Sequence, residues 1–309
     1  MRCEVICVTH DLLYEEWFSN HMYEYWQLLL PSMQMRKQNG WKWMVYFRKN
    51  EAASRLARYI LRMHRERTLE KPTDYMKAVV NMMNTNKSAR LLTVSEYSKT
   101  SIVYNYHISP EKIDVLYSPE RISVPIMPIE NHLLKDLVNS DVKYYLMVSC
   151  DRECKNPIKA LKAFNCFSEL HPDVHFVMVG MQMRFGECSG KIHAMDFLSD
   201  SDLIWAMKSC YALVYPSFFE GFGYPPLEAM KYGKPVICSN ATSIPEILED
   251  APIYFSPLYE SAIFAALTQL TDVNYQEISK RSIKQYEKVR MRQDCDLQKL
   301  VNLVLAPLK

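Results

Sequence analysis

The chain has 309 residues, 37 basic and 35 acidic side chains and a formal net charge of +2. Its length allows one large or two small domains, and a nearly neutral charge favours no particular partner and argues against nucleic acid. No apolar run reaches the roughly 18 residues that a membrane-spanning helix needs, and Glu4 interrupts the start too early for a secretory signal, so we expect a cytoplasmic protein.

The nine cysteines contain no Cys-x2-Cys pair, and several lie in apolar, strand-like runs. A thiol in such a run packs as a small hydrophobic group, so we expect reduced core cysteines. His171 and His175 are close in sequence, but Pro172 between them opposes a helix. We therefore expect no zinc site at this pair.

The chain begins with a predicted buried strand, residues 4–9, that ends at His10-Asp11-Leu12. Taken by itself, this His-Asp pair is equally well a cap at a strand end. Aromatic residues are dense but irregular over residues 14–38, which predicts helical segments followed by a strand at 41–47. Such aromatics belong in a core or an interface, so self-association or a partner subunit is an open alternative.

Residues 51–67 have the clearest helical periodicity of the N-terminal half. Four arginines share one face, opposite an apolar face: Arg55, Arg58, Arg62 and Arg65. A basic stripe of this kind can contact anionic lipid headgroups or a polyprenyl-diphosphate acceptor at the cytoplasmic face of a membrane. A solvated surface face explains the same pattern, and both interpretations stay open here.

Further along, residues 91–99 predict a strand that passes into a helix, with Ser95 as its N-cap. Pro119, Pro125 and Pro128 indicate a stiff crossing between two domains. Beyond the crossing, buried strands without polar alternation are predicted at 144–149, 174–180, 211–215 and 235–239. Strands of this type alternating with helices indicate a parallel sheet covered on both faces, with ligands at the carboxyl ends of the strands.

The stretch from Ser217 to Met230 joins one of these strands to a helix predicted at 227–232. Gly221 and Gly223 allow close backbone approach, and free amides at a helix N-terminus favour an anion. Pro226 suits a first helical position. Glu220 and Glu228 would flank the same pocket, where carboxylates can accept hydrogen bonds from sugar hydroxyls. An ordinary turn with a helix-capping glutamate accounts for these residues too.

The string from Glu220 to Ile237, followed by Ser239-Asn240 and by Ser243-Ile244-Pro245-Glu246, closely resembles the signature of family-4 retaining glycosyltransferases. Weaker resemblance extends in segments over residues 89–257. It implies an α/β protein of the GT-B fold, in which two Rossmann-like domains with parallel sheets face each other across a cleft. The implied substrate is a nucleoside-diphosphate sugar, with neither cofactor nor metal.

The resemblance also implies roles for individual residues. Lys155, with Arg152, would stabilise the donor diphosphate, Glu220 would orient the transferred sugar, and His10 would face that sugar from the N-terminal domain. The ribose hydroxyls would bind Glu228. The remaining donor contacts would come from backbone or loop positions: Ser149, Phe197, Leu198, Gly221, Phe222, Gly223 and Leu227.

Domain bounds follow from the same resemblance. Residues 1–120 would form an abbreviated acceptor-side domain, residues 121–285 the nucleotide-sugar domain, and residues 286–309 a helix that packs back towards the first domain. The family strand ending in His-Asp normally follows about a hundred further residues that include a glycine-rich loop. The N-terminal domain is therefore either rebuilt or completed by a partner.

The sequence supports two functional hypotheses, one for an enzyme and one for a non-catalytic protein. The leading hypothesis is a retaining sugar transfer to a glycan or glycolipid hydroxyl during cell-surface polysaccharide synthesis. The alternative is a non-catalytic or partner-dependent nucleotide-binding subunit. The presence of Lys155, Glu220 and Glu228 together favours the enzyme, because a scaffold has no need of all three.

Overall fold

A computed structural model of the protein describes residues 6–8, 74–120, 125–181 and 191–305. Within these ranges the strands form two sheets, and every strand pair is parallel. The predicted parallel α/β architecture is thus confirmed. His10 and the four arginines of the predicted basic stripe lie outside the described residues, as do Cys3 and Cys188.

The first sheet belongs to the N-terminal part of the chain and has the strand order β1-β2-β3. Its elements are β1 (Ile6–Val8), α1 (Asp74–Thr85), β2 (Arg90–Thr93), α2 (Glu96–Tyr106), a 3-10 turn (Pro110–Lys112) and β3 (Ile113–Val115). Ser95 is the N-cap of α2, since its hydroxyl accepts a hydrogen bond from the backbone N–H of Ser98. This cap was predicted from the sequence and is confirmed.

The second sheet has six strands in the order β6-β5-β4-β7-β8-β9. Its first half contains α3 (His132–Asn139), β4 (Tyr144–Met147), a 3-10 turn (Glu153–Lys155), α4 (Pro157–Leu170), β5 (His175–Val179), β6 (Ile192–Met195) and α5 (Asp200–Ser209). The second half contains β7 (Ala212–Tyr215), α6 (Tyr224–Lys231), β8 (Val236–Ser239), α7 (Ile244–Leu248), β9 (Ile253–Phe255), α8 (Glu260–Gln269) and α9 (Tyr275–Leu305).

Both faces of this sheet are buried. Along β4, Tyr144 and Leu146 pack into one apolar cluster, whereas Tyr145 and Met147 pack into another on the opposite face. Successive side chains of β4 point to opposite faces of the sheet, and both faces are buried. The strand is therefore a continuous apolar run in the sequence. The chain adds β4, β5 and β6 towards one edge of the sheet and then β7, β8 and β9 towards the other. The order in which strands are added therefore reverses between β4 and β7, although the strands stay parallel. Ligands bind at this kind of switch point in open parallel sheets.

The described part of the proline-rich crossing lies against α5. Asp202, which is buried, accepts hydrogen bonds from the backbone N–H groups of Glu130 and Asn131, at 3.0 and 3.1 Å. Ser201 and Trp205 both bond the backbone of Met127. The crossing is therefore fastened to the helix that follows the Phe197-Leu198 loop.

The last helix is continuous from Tyr275 to Leu305. A separate segment beginning at residue 286 is therefore not seen, because the helix passes through this boundary without a break. Its second half does reach the N-terminal side of the chain: Asp296 accepts a hydrogen bond from Tyr117 N at 3.0 Å, and Gln293 donates to Ser118 O at 2.7 Å. No helix in the described ranges is long and apolar enough to cross a membrane.

The six cysteines whose side chains the structure describes are free thiols, but they do not all lie in the core. Cys150, Cys154, Cys210 and Cys238 are buried, whereas Cys166 and Cys295 are exposed on helices α4 and α9. The expectation of core cysteines is wrong for this exposed pair, because helical positions alternate between core and solvent over a few residues.

A histidine pair links the first residue of β5 to the edge strand β6. The ring nitrogens His175 Nδ1 and His193 Nε2 lie 2.7 Å apart. Burial lowers the pKa of both imidazoles, and the charge of Lys191 lowers the pKa of His175 further. Only one ring needs to donate in the contact, so the neutral pair keeps the hydrogen bond, whereas two imidazolium rings would lose it and repel.

Acidification should therefore destabilise the protein through this pair. A histidine whose pKa is lowered on folding contributes stability that is complete above the unfolded pKa, near 6.5, and is lost as the pH falls through the folded value. We expect the free energy of unfolding to fall between pH 7.5 and pH 5, and to fall less in the His193→Gln variant. Denaturant unfolding across this pH range tests this, and an equal pH dependence in both proteins would contradict it.

Candidate functional site

A cavity of about 370 Å³, lined by both apolar and charged side chains, opens at the switch point of the six-stranded sheet. Its walls come from the loops that follow β4, β5, β6 and β7, and from the first turns of α6. Most of the predicted site residues line this cavity: Ser149, Arg152, Lys155, Phe197, Leu198, Glu220, Phe222, Gly223 and Glu228. The sheet topology thus brings together residues that are up to 79 positions apart, from Ser149 to Glu228.

Lys155 and Glu220 form a buried ion pair in this cavity. The Lys155 Nζ contacts Glu220 Oε1, and the two side chains are 7% and 12% exposed. Lys155 lies at the end of the 3-10 turn after β4, directly before the N-cap Asn156 of α4. Asn156 adopts a left-handed conformation and donates to the carbonyls of Pro216 and Pro257, at 3.3 and 3.0 Å. The bond to Pro216 ties the lysine turn to the loop that contains Glu220, and the bond to Pro257 ties it to the loop after β9.

Two further donors share the same carboxylate oxygen. Tyr215 OH and Ser217 Oγ donate to Glu220 Oε1 at 2.7 and 2.5 Å, and Tyr215 OH accepts from Lys155 Nζ at 2.7 Å. Oε2 of Glu220 accepts no hydrogen bond from any residue within the described ranges. One carboxylate oxygen of Glu220 is therefore fixed by three protein groups.

Tyr215 stays a hydrogen-bond donor in this cluster. Burial raises the pKa of its phenol well above the usual value, and the neighbouring Glu220 charge raises it further. The Cys154 thiol, in the same small apolar group as Phe218 and Phe219, has a pKa raised to about 11, chiefly by burial. Both groups are consequently uncharged at neutral pH, so the charges of Lys155, Glu220 and Arg152 set the local field.

The backbone of Glu220 is held as firmly as its side chain. Its N–H donates to Thr242 Oγ1 at 3.0 Å, and its carbonyl accepts from Ser243 Oγ at 2.9 Å. Thr242 has a φ of 55°, an unusual conformation for a β-branched residue. Strain of this kind persists only where surrounding contacts determine the conformation, and here they include the bond to Glu220.

Helix α6 begins earlier than the sequence predicted. Gly223 is its N-cap with a φ of 95°, and the helix extends from Tyr224 to Lys231. Pro226 is therefore the third helical residue, not the first, which is permitted because the amides of the first turn have no partner within a helix. Glu228 is the fifth helical residue. Since Pro225 and Pro226 lack an N–H, the first turn of α6 offers fewer amide donors than an ordinary helix start.

Two predicted donor residues do not line the cavity. The side chain of Leu227 is buried in the apolar core beneath α6. The carbonyl of Gly221 accepts a hydrogen bond from Ser95 on the N-terminal side of the chain, at 2.8 Å. Their assignment as donor contacts was implied by the family resemblance, and it stays a prediction. Arg152 lines the cavity and is exposed.

Sequence reasoning missed several residues that build the site. Tyr215 was read as part of an apolar strand, although it ends that strand with a hydroxyl at the carboxyl edge of the sheet. Thr242, Ser243 and Gly180 were assigned no role. Gly180 lines the cavity with a φ of 84°, and a Cβ there would lie 3.3 Å from Cys150 N and from Asp151 Oδ1. For Tyr215 and Gly180, the sequence signal that could have indicated a site residue was their position at the carboxyl end of a predicted parallel strand.

Two parallel sheets and a charged cavity at a switch point define a Rossmann-like, nucleotide-binding class of α/β protein. Residues 129–286, just over half of the chain, match the family model described as glycosyl transferases group 1. The protein belongs to this family. A solved glycosyltransferase from Rickettsia africae is similar in fold, with a TM-score of 0.58, 17% identity and coverage of 77% of this chain and 69% of that one. The predicted GT-B fold is thereby confirmed.

Curated relatives add similarity over shorter segments. O-antigen chain mannosyltransferase RfbU of Salmonella typhimurium is 29% identical over 195 residues, which are 61% of this chain and 52% of that protein. O-antigen chain mannosyltransferase B of Escherichia coli is 43% identical over 95 residues, 30% of this chain and 25% of that protein. The chain thus spans about half or less of the length of the curated relatives it matches.

Proposed function

We propose that this protein is a retaining glycosyltransferase that moves a sugar from a nucleoside-diphosphate sugar to a hydroxyl of a glycan or glycolipid. The observation that carries the proposal is the buried Lys155–Glu220 pair, which shares one cavity with Glu228 at the switch point of a parallel sheet. The cavity combines fixed positive charge for a diphosphate with carboxylates for sugar hydroxyls.

Lys155 and Arg152 would stabilise the leaving group. As the bond between the anomeric carbon and the phosphate oxygen breaks, negative charge grows on the diphosphate. A cation already fixed beside it stabilises this transition state more than the ground state. The acceptor oxygen bonds to the anomeric carbon on the same face, and its proton passes to the departing phosphate. Fixed side-chain cations perform the role that a divalent ion has in other transferases, so we propose a metal-independent reaction.

Glu220 is proposed to orient the sugar and not to attack it. Its Oε1 accepts from Lys155, Tyr215 and Ser217, and its charge is paired with the lysine. Hydrogen bonds and a paired cation stabilise a carboxylate and make it a weaker nucleophile. Oε2 would accept a hydrogen bond from a sugar hydroxyl, and the N-terminal end of α6 would lie near the diphosphate.

Mannose is the sugar that we propose for the donor. The O-antigen relatives in Salmonella and Escherichia coli carry mannosyltransferase in their names, as does a Mycolicibacterium hassiacum relative, 26% identical over 168 residues. The proposed setting is cell-surface polysaccharide synthesis on the cytoplasmic side of a membrane. Contact of Arg55, Arg58, Arg62 and Arg65 with that membrane, association of subunits and the sugar-facing role of His10 stay predictions, because these residues lie outside the described ranges.

Turnover of mannosyl nucleotides tests the proposal. The protein should release nucleoside diphosphate from one mannosyl nucleotide of a panel, faster when a glycan acceptor is present, and at the same rate in EDTA. The product should retain the anomeric configuration of the donor by NMR. Inversion, trapping of a sugar on Glu220 by a fluorinated donor, or loss of activity in EDTA would each contradict one part of the proposal. Nucleotide binding without turnover would favour the non-catalytic subunit.

A further inference from the structure

The first turn of α2 lies directly against the loop that contains Glu220. Ser95 is fully buried, and its hydroxyl has three contacts: the oxygen accepts from Ser98 N at 3.1 Å, it lies 2.9 Å from Ser98 Oγ, and the O–H donates to Gly221 O at 2.8 Å. The ring of Tyr97 contacts the edge of Phe219, with centroids 6.0 Å apart. An N-terminal helix thus bonds the residue that directly follows Glu220.

A carboxylate from the C-terminal domain completes the cap of the same helix. The two oxygens of Glu246, on α7, accept from the backbone N–H groups of Glu96 and Tyr97 at 2.9 and 3.0 Å. These amides have no partner within the helix, and the positive end of the helix dipole favours a carboxylate there. The hydrogen-bonding groups of two residues 150 positions apart therefore satisfy each other at this contact.

The residues that directly precede helix α7 connect this contact to Glu220. Thr242 and Ser243, which bond the N–H and the carbonyl of Glu220, directly precede α7 and are four and three residues before Glu246. Ser95 bonds the following carbonyl, that of Gly221. Thr242 and Ser243 thus fix the peptide groups on both sides of Glu220 from the start of α7, and Ser95 fixes the next peptide group, after Gly221, from α2.

We propose that Ser95 and Glu246 are positioning residues that couple the arrangement of the two domains to the orientation of Glu220. With both contacts made, the Glu220 loop is held between α2 and α7, and Oε2 points to one place in the cavity. When the domains separate, Ser95 leaves Gly221, and the loop loses its N-terminal support. The inference rests on the proposed function, since it assumes that Glu220 orients the sugar.

Steady-state kinetics of Ser95→Ala, Ser95→Thr and Glu246→Gln test the coupling. We expect kcat to fall roughly 10- to 100-fold in Ser95→Ala and Glu246→Gln, because a misplacement of about 1 Å at a reacting centre has effects of this size. The donor KM and the Kd of the nucleoside diphosphate should stay within about threefold. Ser95→Thr keeps the hydroxyl and should restore kcat. A carboxamide offers one acceptor oxygen to two N–H groups, so Glu246→Gln should not.

Glu249→Gln is the matched control, because Glu249 follows α7 but bonds the exposed Lys288 at 2.7 Å instead of α2. Its kcat should equal that of the native protein. Unchanged kcat in Ser95→Ala and Glu246→Gln, or a change confined to the donor KM, would overturn the coupling while leaving the proposed function intact. Native protein without transfer or nucleotide binding would instead contradict the proposed function. Should Glu246→Gln fail to fold, comparison of Ser95→Ala with Ser95→Thr decides the matter.

Discussion

Replacing Lys155 by methionine should reduce kcat by about 10²- to 10³-fold and destabilise the protein in the same variant. The effect on kcat follows from removing a preorganised charge beside the leaving diphosphate. The effect on stability follows from burial: Glu220, 12% exposed, would keep its charge without its cation. Breaking a buried pair by removing one partner lowers the free energy of unfolding by roughly 3–5 kcal/mol.

A second variant separates these two effects. Lys155→Met combined with Glu220→Gln removes both charges, so most of the lost stability should return while transfer stays as low as in the single variant. Lys162→Met is the control, since Lys162 is 59% exposed and pairs with Glu260 at the surface of α4. A pair of this kind contributes at most about 1 kcal/mol. Native-like kcat in Lys155→Met would refute the role of the lysine, and native-like unfolding would refute the buried pair.

Local sequence signals predicted four of the six strands of the C-terminal sheet: β4, β5, β7 and β8. Unbroken apolar runs such as residues 144–147 and 212–215 are typical of strands buried on both faces, and both cores of the sheet bear this out. Ser95 was recognised as a helix start because capping depends on neighbouring residues alone. Local signals could not predict the order of the strands in the sheet, since the pairing of β4 with β7 joins residues more than 60 positions apart.

The start of α6 shows how a correct local rule can give a wrong boundary. Pro226 was placed at the first helical position because proline is common there, yet Pro225 and Pro226 both fit a first turn whose amides need no partner. Gly223, with its positive φ, decides the start. The shift places Glu228 at the beginning of the second turn, where it still lines the cavity.

The supporting groups of the site were harder to predict than the charged ones. A charged residue in a turn is informative by itself, because burial of a charge needs a partner. Tyr215 and Ser95 are ordinary in their own segments and gain a function only through contacts with Glu220 and Gly221. The second contact spans 126 positions. No periodicity or local spacing encodes such a pairing.

Replacing Glu228 by alanine should weaken binding of the donor nucleotide by about 10²-fold or more. The proposed role of Glu228 is to accept hydrogen bonds from two ribose hydroxyls, and a hydrogen bond to a charged group contributes about 1.5–3 kcal/mol. Uniform loss of binding energy raises the donor KM more than it lowers kcat. Glu228→Gln keeps one acceptor oxygen and should recover part of the affinity.

Thermal unfolding with and without nucleoside diphosphate measures this loss directly. At 100 times its Kd a nucleotide stabilises the native protein by about 2.7 kcal/mol, and at the same concentration a 100-fold weaker complex gives only about 0.4 kcal/mol. Glu260→Ala, at the surface of α8, controls for removal of a carboxylate and should keep the full shift. A shift that depends on the base and disappears in Glu228→Ala identifies the nucleotide. An equal shift in both proteins would mean that the ribose lies elsewhere in the cavity, and Arg152 and Ser149 would then be the groups to replace.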